Sequence, residues 1–298
     1  MRSGSNLTLG LTAIWPEAVV AVVTPGSPAE EAGIRAGDLI EAVDGSAPAH
    51  VDGVVVLPRG PRAVNLLLRR AGRTERLHAA LTPRVVPFNR PATVRRLGDA
   101  LGYIDVPGVV GGGDSFDRDA VAAIRDVDTI ATCGWVVDLR RNVGGNMWPM
   151  LHALRPILGD GNPFTYRYGK GPLSQAPVYS LKLSRPAIAV LTSRLTVSSG
   201  ELVTVAFRGP STTRTFGEAT GGLSTSNMTF PLVDGAMLVV TVSRAVDRVK
   251  RVYDGPIQPD QPIGIDWTRV GSEDDPVLRV AARWLREQEP CASARQLD

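Results

Sequence analysis

Val137-Asp138-Leu139-Arg140-Arg141-Asn142-Val143-Gly144-Gly145-Asn146 ends an apolar run in two adjacent glycines, and a helical pattern starts directly after it. Adjacent glycines at the end of a buried strand let backbone N–H groups turn toward one point without side-chain obstruction. An oxyanion hole or an anion-binding nest needs that arrangement. A turn set by packing alone reads the same way, so this segment by itself does not decide function. It does decide the fold, because the same strand–turn–helix order recurs on both sides of it. Residues 102–106, 135–139 and 187–191 read as strands, and residues 117–126, 147–158 and 199–207 as helices. Strands interleaved with helices predict an α/β domain with a partly parallel sheet. A strand pair at 228–232 and 236–242 and an amphipathic helix at 276–288 close the chain.

A second segment is Val190-Leu191-Thr192-Ser193-Arg194-Leu195-Thr196-Val197-Ser198-Ser199-Gly200-Glu201. It places small hydroxyl residues where a strand gives way to a helix. A serine there exposes its Oγ at the carboxyl edge of the sheet, beside helix amides that stabilise developing negative charge. Thr196 or Ser198 as an N-cap, with Glu201 completing a capping box, is the alternative reading of the same residues. A third segment, Phe216-Gly217-Glu218-Ala219-Thr220-Gly221-Gly222-Leu223, precedes a hairpin with Val233-Asp234-Gly235 at its tip. Asp247-Arg248 and Asp254-Gly255-Pro256-Ile257-Gln258-Pro259-Asp260 follow.

Upstream, residues 7–83 alternate short β-rich runs (19–23, 53–57, 63–68) with turns. Between them lies Pro25-Gly26-Ser27-Pro28-Ala29-Glu30-Glu31-Ala32-Gly33-Ile34-Arg35-Ala36-Gly37-Asp38-Leu39-Ile40, leading to Val43-Asp44-Gly45. Pro28 and Gly33 bracket a helix of barely two turns, and Asp44-Gly45 is a hairpin signal. The stretch closely resembles the PDZ domains of bacterial proteases. That resemblance implies capture of a peptide C-terminus as an added strand beside a carboxylate-binding loop, placed here at Leu9, Gly10 and Leu11. A PDZ fold serving only as a brace carries the same sequence. The expected domains are residues 1–85, PDZ-like, and 86–298, catalytic, with residues 84–97 a linker.

In order and spacing, the three segments resemble the S41 (tail-specific, C-terminal processing) serine peptidases, nearest to the nisin-resistance-like and tricorn-like branch. The resemblance implies a ClpP/crotonase-like αβ-sandwich catalytic domain. It makes Ser198 the nucleophile, gives an oxyanion hole to the backbone amides of Gly144, Gly145 and Ser199, and leaves Glu201 as a support residue. The implied partner is a peptide or protein substrate, with no cofactor. A crotonase-like CoA enzyme, suggested by fold analogy, leaves the PDZ module without a role.

A serine needs a base. The lysine used by one S41 branch falls where Leu223 stands, and Lys170, Lys182 and Lys250, the three lysines, lie elsewhere. The histidine of the other branch belongs upstream of the PDZ module, where Arg2-Ser3-Gly4-Ser5-Asn6-Leu7 looks like the tail of its motif with Gly4 about where it should stand. Asp254 matches a late acidic residue that orients this histidine. His50 and His78 fall in the PDZ module, and His152 matches no catalytic position of the family. Two explanations stand open: a histidine-bearing segment upstream of Met1, or a pseudoprotease that binds peptides after losing its base.

The 298 residues suit two domains, and 43% apolar content describes an ordinary globular chain. Thirty-three basic against 30 acidic residues, net +3 and without long runs, leave no footprint for nucleic acid. Neither H-E-x-x-H nor a Cys/His cluster of ligand spacing is present, so no metal is expected. No stretch approaches the length of a membrane-spanning helix, and no apolar h-region follows Met1, which predicts a cytoplasmic chain, or an exported one if the N-terminus is incomplete. Two cysteines make no disulfide framework, and Cys133 reads as a small buried hydrophobe.

Overall fold

The computed structural model describes residues 7–51, 54–58, 60–70, 73–86, 89–112, 115–159, 164–166, 169–170 and 179–294. They divide into two compact units, Met1–Arg90 with Asp266–Asp275 and Pro91–Ile265 with Pro276–Asp298. The chain therefore changes units at 90/91, where the sequence suggested 85/86. Asp266–Asp275, expected in the catalytic domain, returns to the first unit, where the Gly37 backbone packs against Thr268. A Cβ on Gly37 would lie 3.0 Å from Thr268 Cα, and its φ of +91° suits glycine.

In the first unit, strands β1 (Leu7–Thr8), β2 (Leu11–Ile14) and β3 (Val19–Val23) lead to the short helix α1 (Pro28–Glu31). Strands β4 (Leu39–Val43), β5 (His50–Val51), β6 (Val54–Val55), β7 (Val64–Arg69), β8 (Arg76–Leu81) and β9 (Arg84–Val85) follow. Seven of these strands form one antiparallel sheet in the order β5-β6-β2-β3-β4-β7-β8, while β1 pairs with β9. Gly53, expected to open a strand, lies outside the described residues. Ser27 caps α1 by accepting from the Glu30 amide, Pro28 supplies a φ already suited to a first turn, and Gly33 at φ +75° ends it. Alternation along β7 buries Val64, Leu66 and Leu68 with Leu9, Val20, Ile40 and Leu81, the core of the unit.

The second unit runs β10 (Thr93–Leu97), β11 (Leu101–Asp105), α2 (Phe116–Val127), β12 (Gly134–Asp138), α3 (Met147–Leu158), β13 (Phe164–Tyr166), β14 (Gly169–Lys170), β15 (Ala187–Thr192) and α4 (Ser199–Ala206). Strands β16 (Thr213–Gly217), β17 (Thr225–Pro231), β18 (Met237–Asp247), β19 (Val252–Tyr253) and β20 (Gln261–Pro262) precede α5 (Pro276–Glu287) and α6 (Glu289–Ala294). The sheet order is β10-β11-β12-β15-β16-β20, parallel from β11 to β20, with β10 antiparallel at its edge. Residues 93–97, expected in a linker, form that edge strand, with Val94 packed against one core and Leu97 against the other.

All five residues of β12 and all six of β15 are buried, since helices cover both faces of a parallel sheet. Alternate side chains divide between two cores. Trp135, Val137 and Val190 meet Ile124 of α2, Leu154 of α3 and Leu202 of α4. Val136, Ala189 and Leu191 meet Val277, Ala281 and Leu285 of α5. Gly102 lies under the Trp135 ring, where a Cβ would come within 2.5 Å of it.

One expectation is overturned outright. Cys133 and Cys291 form a disulfide with Cα atoms 4.9 Å apart, fastening α6 to the start of β12. The pairing could not be read from a separation of 158 residues, because only the packing of α5 on the sheet brings α6 to Cys133.

Candidate active site

The parallel neighbours β12 and β15 end side by side, Asp138 in register with Leu191, so the two following loops leave the sheet at its carboxyl edge together. Four hydrogen bonds lace these loops. Thr196 Oγ1 donates to the Leu139 carbonyl at 2.8 Å, and Ser193 Oγ donates to the Arg140 carbonyl. The Val197 amide donates to the Asn142 carbonyl at 3.1 Å, and Ser199 Oγ donates to the Gly145 carbonyl. The hydroxyl cluster around Ser198 is therefore mostly structural.

Ser198 stands where this lacing meets α4, at φ +53° and ψ −121°, a conformation that L residues rarely adopt. The sequence showed a serine at a helix start but not this bend. Glu201, fully buried, holds it in place by accepting from the Ser198 amide at 3.0 Å. The same carboxylate accepts from Thr220 Oγ1 and from the Gly222 amide at 2.9 Å, tying the Ser198 turn to the 220–222 loop. Burial pushes the Glu201 carboxyl above its ordinary range, and these donors offset part of that shift. Its place as a support residue thus has a geometric basis.

The candidate oxyanion amides separate into two groups. Gly144, expected to offer its amide to an oxyanion hole, donates that N–H to Asn142 Oδ1 at 3.0 Å. What Gly144 supplies instead is closeness. At φ +89°, a Cβ there would lie 2.8 Å from the Val197 carbonyl oxygen and 2.9 Å from Ser198 Cβ. For the Gly145 and Ser199 amides no protein acceptor is found among the described residues; Ser199 follows Ser198 in the chain, and its Oγ joins it to the Gly145 carbonyl.

Asn142, which sequence reading passed over, is the hub of the glycine loop. Its Nδ2 donates to the Val106 carbonyl at 3.0 Å and the Pro107 carbonyl at 3.3 Å, while its Oδ1 holds Gly144. Beneath it, Arg140 donates from Nε and Nη2 to the buried Asp138 carboxylate at 3.0 and 2.6 Å, and Tyr103 OH adds a bond at 2.9 Å. Burial raises the Asp138 carboxyl, but the guanidinium outweighs it and holds the group at about 2. Burial, then the charge of Asp138, pushes the Tyr103 hydroxyl well above its usual range.

No lysine or histidine hydrogen-bonds Ser198 among the described residues. His152, on α3, instead places Nδ1 3.8 Å from Asp117 Oδ2. Asp254 is exposed and pairs with Arg244 Nε at 3.3 Å, and none of the described histidines meets it. In the first unit, Leu9 is buried in the core, and Gly10 donates its N–H to Thr8 Oγ1 at 3.0 Å. A Cβ on Gly10 would fall 2.0 Å from Ser27 Cβ, so the loop requires glycine there. Leu11 opens β2, which is flanked by β3 along its length and by β6 at Ile14.

Residues 100–263 match the model of peptidase family S41, and residues 19–70 match a PDZ domain. The first match covers more than half of the chain, which belongs to peptidase family S41. The nisin-resistance protein of Lactococcus lactis subsp. lactis is 34% identical over 143 residues, 43% of this chain and 45% of that protein. The chain thus spans less than half the length of that relative. A carboxyl-terminal-processing protease of Picosynechococcus sp. is 24% identical, over 99% of this chain and 73% of the relative. Among solved structures, a lipoprotein from Streptococcus agalactiae superposes with a TM-score of 0.55 at 28% identity, covering 66% of this chain and 70% of that one. The photosystem II D1 C-terminal processing protease gives 0.56 at 24% identity over 93% and 77%, a likeness of fold.

Proposed function

We propose that the chain is a serine-type peptidase that cleaves extended or C-terminal peptide segments by acyl transfer at Ser198. The observation that carries this is the bent Ser198 at the start of α4, followed by Ser199, whose Oγ reaches the Gly145 carbonyl while both amides lack a protein acceptor among the described residues. Ser198 Oγ adds to the scissile carbonyl carbon, and the oxygen that becomes negative takes up those two amides. Collapse breaks the C–N bond, the amine leaves with the serine proton, and water then hydrolyses the acyl ester to restore Ser198. The PDZ unit serves as the docking module for a peptide C-terminus, at β2 and the Leu9–Leu11 turn. Hydrolysis of an extended peptide by the intact chain, lost in Ser198→Ala, is the expected result. Equal turnover by both proteins would remove the reading.

A second reading has its own observation. With His152 turned to Asp117 and Asp254 to Arg244, the described residues give Ser198 no proton acceptor. A chain in that state binds peptides without cleaving them, and tight peptide binding with no turnover would select it.

The Cys133–Cys291 disulfide supports placing the chain in an oxidising compartment, the exported alternative, since cytosolic thiols are kept reduced. Counting free thiols in protein isolated from its own cell tests this: none supports export, and two contradict it.

A further inference from the structure

The outer part of the hairpin of β17 and β18, from Asn227 to Thr241, contributes no residue to either core. Its paired residues include Met228 with Val240 and Phe230 with Leu238, and directly opposed residues share a face of the ribbon. The four side chains are 38% to 52% exposed, and Leu232 and Val233 add exposed apolar surface at the tip. On the other face Thr229 opposes Val239, and Asn227 accepts from Thr241 Oγ1 at 2.9 Å. Between Thr225 and Ser243 the single charged residue is Asp234, at the turn. Strands β13 and β19 flank β18 at 245–247, so the outer part of the ribbon has two strands. A two-stranded ribbon alone is marginal in water, and a contiguous apolar face of this size marks an interaction surface.

We propose that this face packs against the same face of a second copy of the chain, about a two-fold axis. From their exposures, the six apolar side chains offer on the order of 600 Å² per copy, so about 1,200 Å² in a symmetric pair, the lower limit of a stable interface. A face without charge is its own complement in an isologous contact. A single peptide strand would cover an edge and leave the face wet. A bilayer fits less well, because among the described residues β17 is the terminal strand of its sheet and its outer edge would carry unpaired N–H and C=O groups into hydrocarbon.

Sedimentation velocity over a wide concentration range tests the pairing. The chain is expected to show a reversible monomer–dimer equilibrium. Phe230→Lys with Val240→Lys weakens it by about a hundredfold or more, as two buried charges require. Val239→Lys, on the opposite face, leaves it intact, and unchanged circular dichroism of all three proteins shows that they fold. A monomer at every concentration overturns the proposal, as does a Val239→Lys protein that dissociates equally. Wild-type protein that stays monomeric and co-sediments with phosphatidylcholine vesicles assigns the face to lipid and also overturns it.

Discussion

Ser199 Oγ donates a hydrogen bond to the Gly145 carbonyl, joining the first residue of α4 to the glycine loop opposite it. The amides of these same two residues have no protein acceptor among the described residues. One side-chain hydroxyl therefore sets the spacing of the two donors. Ser199→Ala keeps the helix but frees the Gly145 peptide. The loss of one hydrogen bond worth about 1 kcal/mol predicts acylation slowed about five- to tenfold, with KM and melting temperature little changed. Burst kinetics with an ester substrate checks it.

Gly144→Ala tests closeness in place of hydrogen bonding. Its methyl would press on the Val197 carbonyl and Ser198 Cβ and would strain a φ of +89°. A shift of even a few tenths of an ångström separates the two loops, so acylation is expected to fall about a hundredfold. Circular dichroism should report a retained fold.

Asn142→Ala removes the hub and strands the Val106 carbonyl and Gly144 amide in a buried site. The expected loss is about 2–3 kcal/mol for unsatisfied buried partners, read as a lower denaturant midpoint. Asn142→Asp should fare no better, because an acid in place of the amide cannot donate to the Val106 and Pro107 carbonyls when ionised.

The α/β plan was legible because period-2 and period-3.6 patterns alternate cleanly from residue 101 onward, and α3 begins and ends where its pattern does. Ser198, Gly145 and Ser199 were legible as small residues between a buried strand and a helix. The edge strand β10 was not, since its adjacent Arg95 and Arg96 read as linker. Nor was β16, which lies in a polar run, Thr213-Arg214-Thr215, whose burial depends on its neighbour β15. The disulfide and the capture of the Gly144 amide by Asn142 depend on how distant or turning segments meet, which periodicity does not encode. The asparagine of the D-L-R-x-N stretch was the one available signal for that second contact.

Stability toward acid should follow Asp138. Its folded carboxyl, at about 2, lies below the ordinary 3.8. The unfolded chain thus takes up the proton first on acidification. The contribution is fully present above about pH 4 and lost as pH falls through about 2. Urea midpoints measured from neutral to acidic pH should drop across this window. Asp138→Asn should start from a lower midpoint and show a shallower acid limb.

Cys133→Ser should cost about 2–5 kcal/mol, because the bridge closes a span of 158 residues and holds α6 on the sheet. Thermal unfolding of wild-type protein with and without reductant should show the same difference. A reductant effect that persists in the variant would contradict it.

Labelling with a fluorophosphonate probe tests the central claim most directly. The account predicts one adduct on the intact chain, mapped by mass spectrometry to Ser198 and absent from Ser198→Ala. Well-folded protein that takes up no probe, or an adduct that survives the substitution, would contradict Ser198 as the nucleophile of an active peptidase.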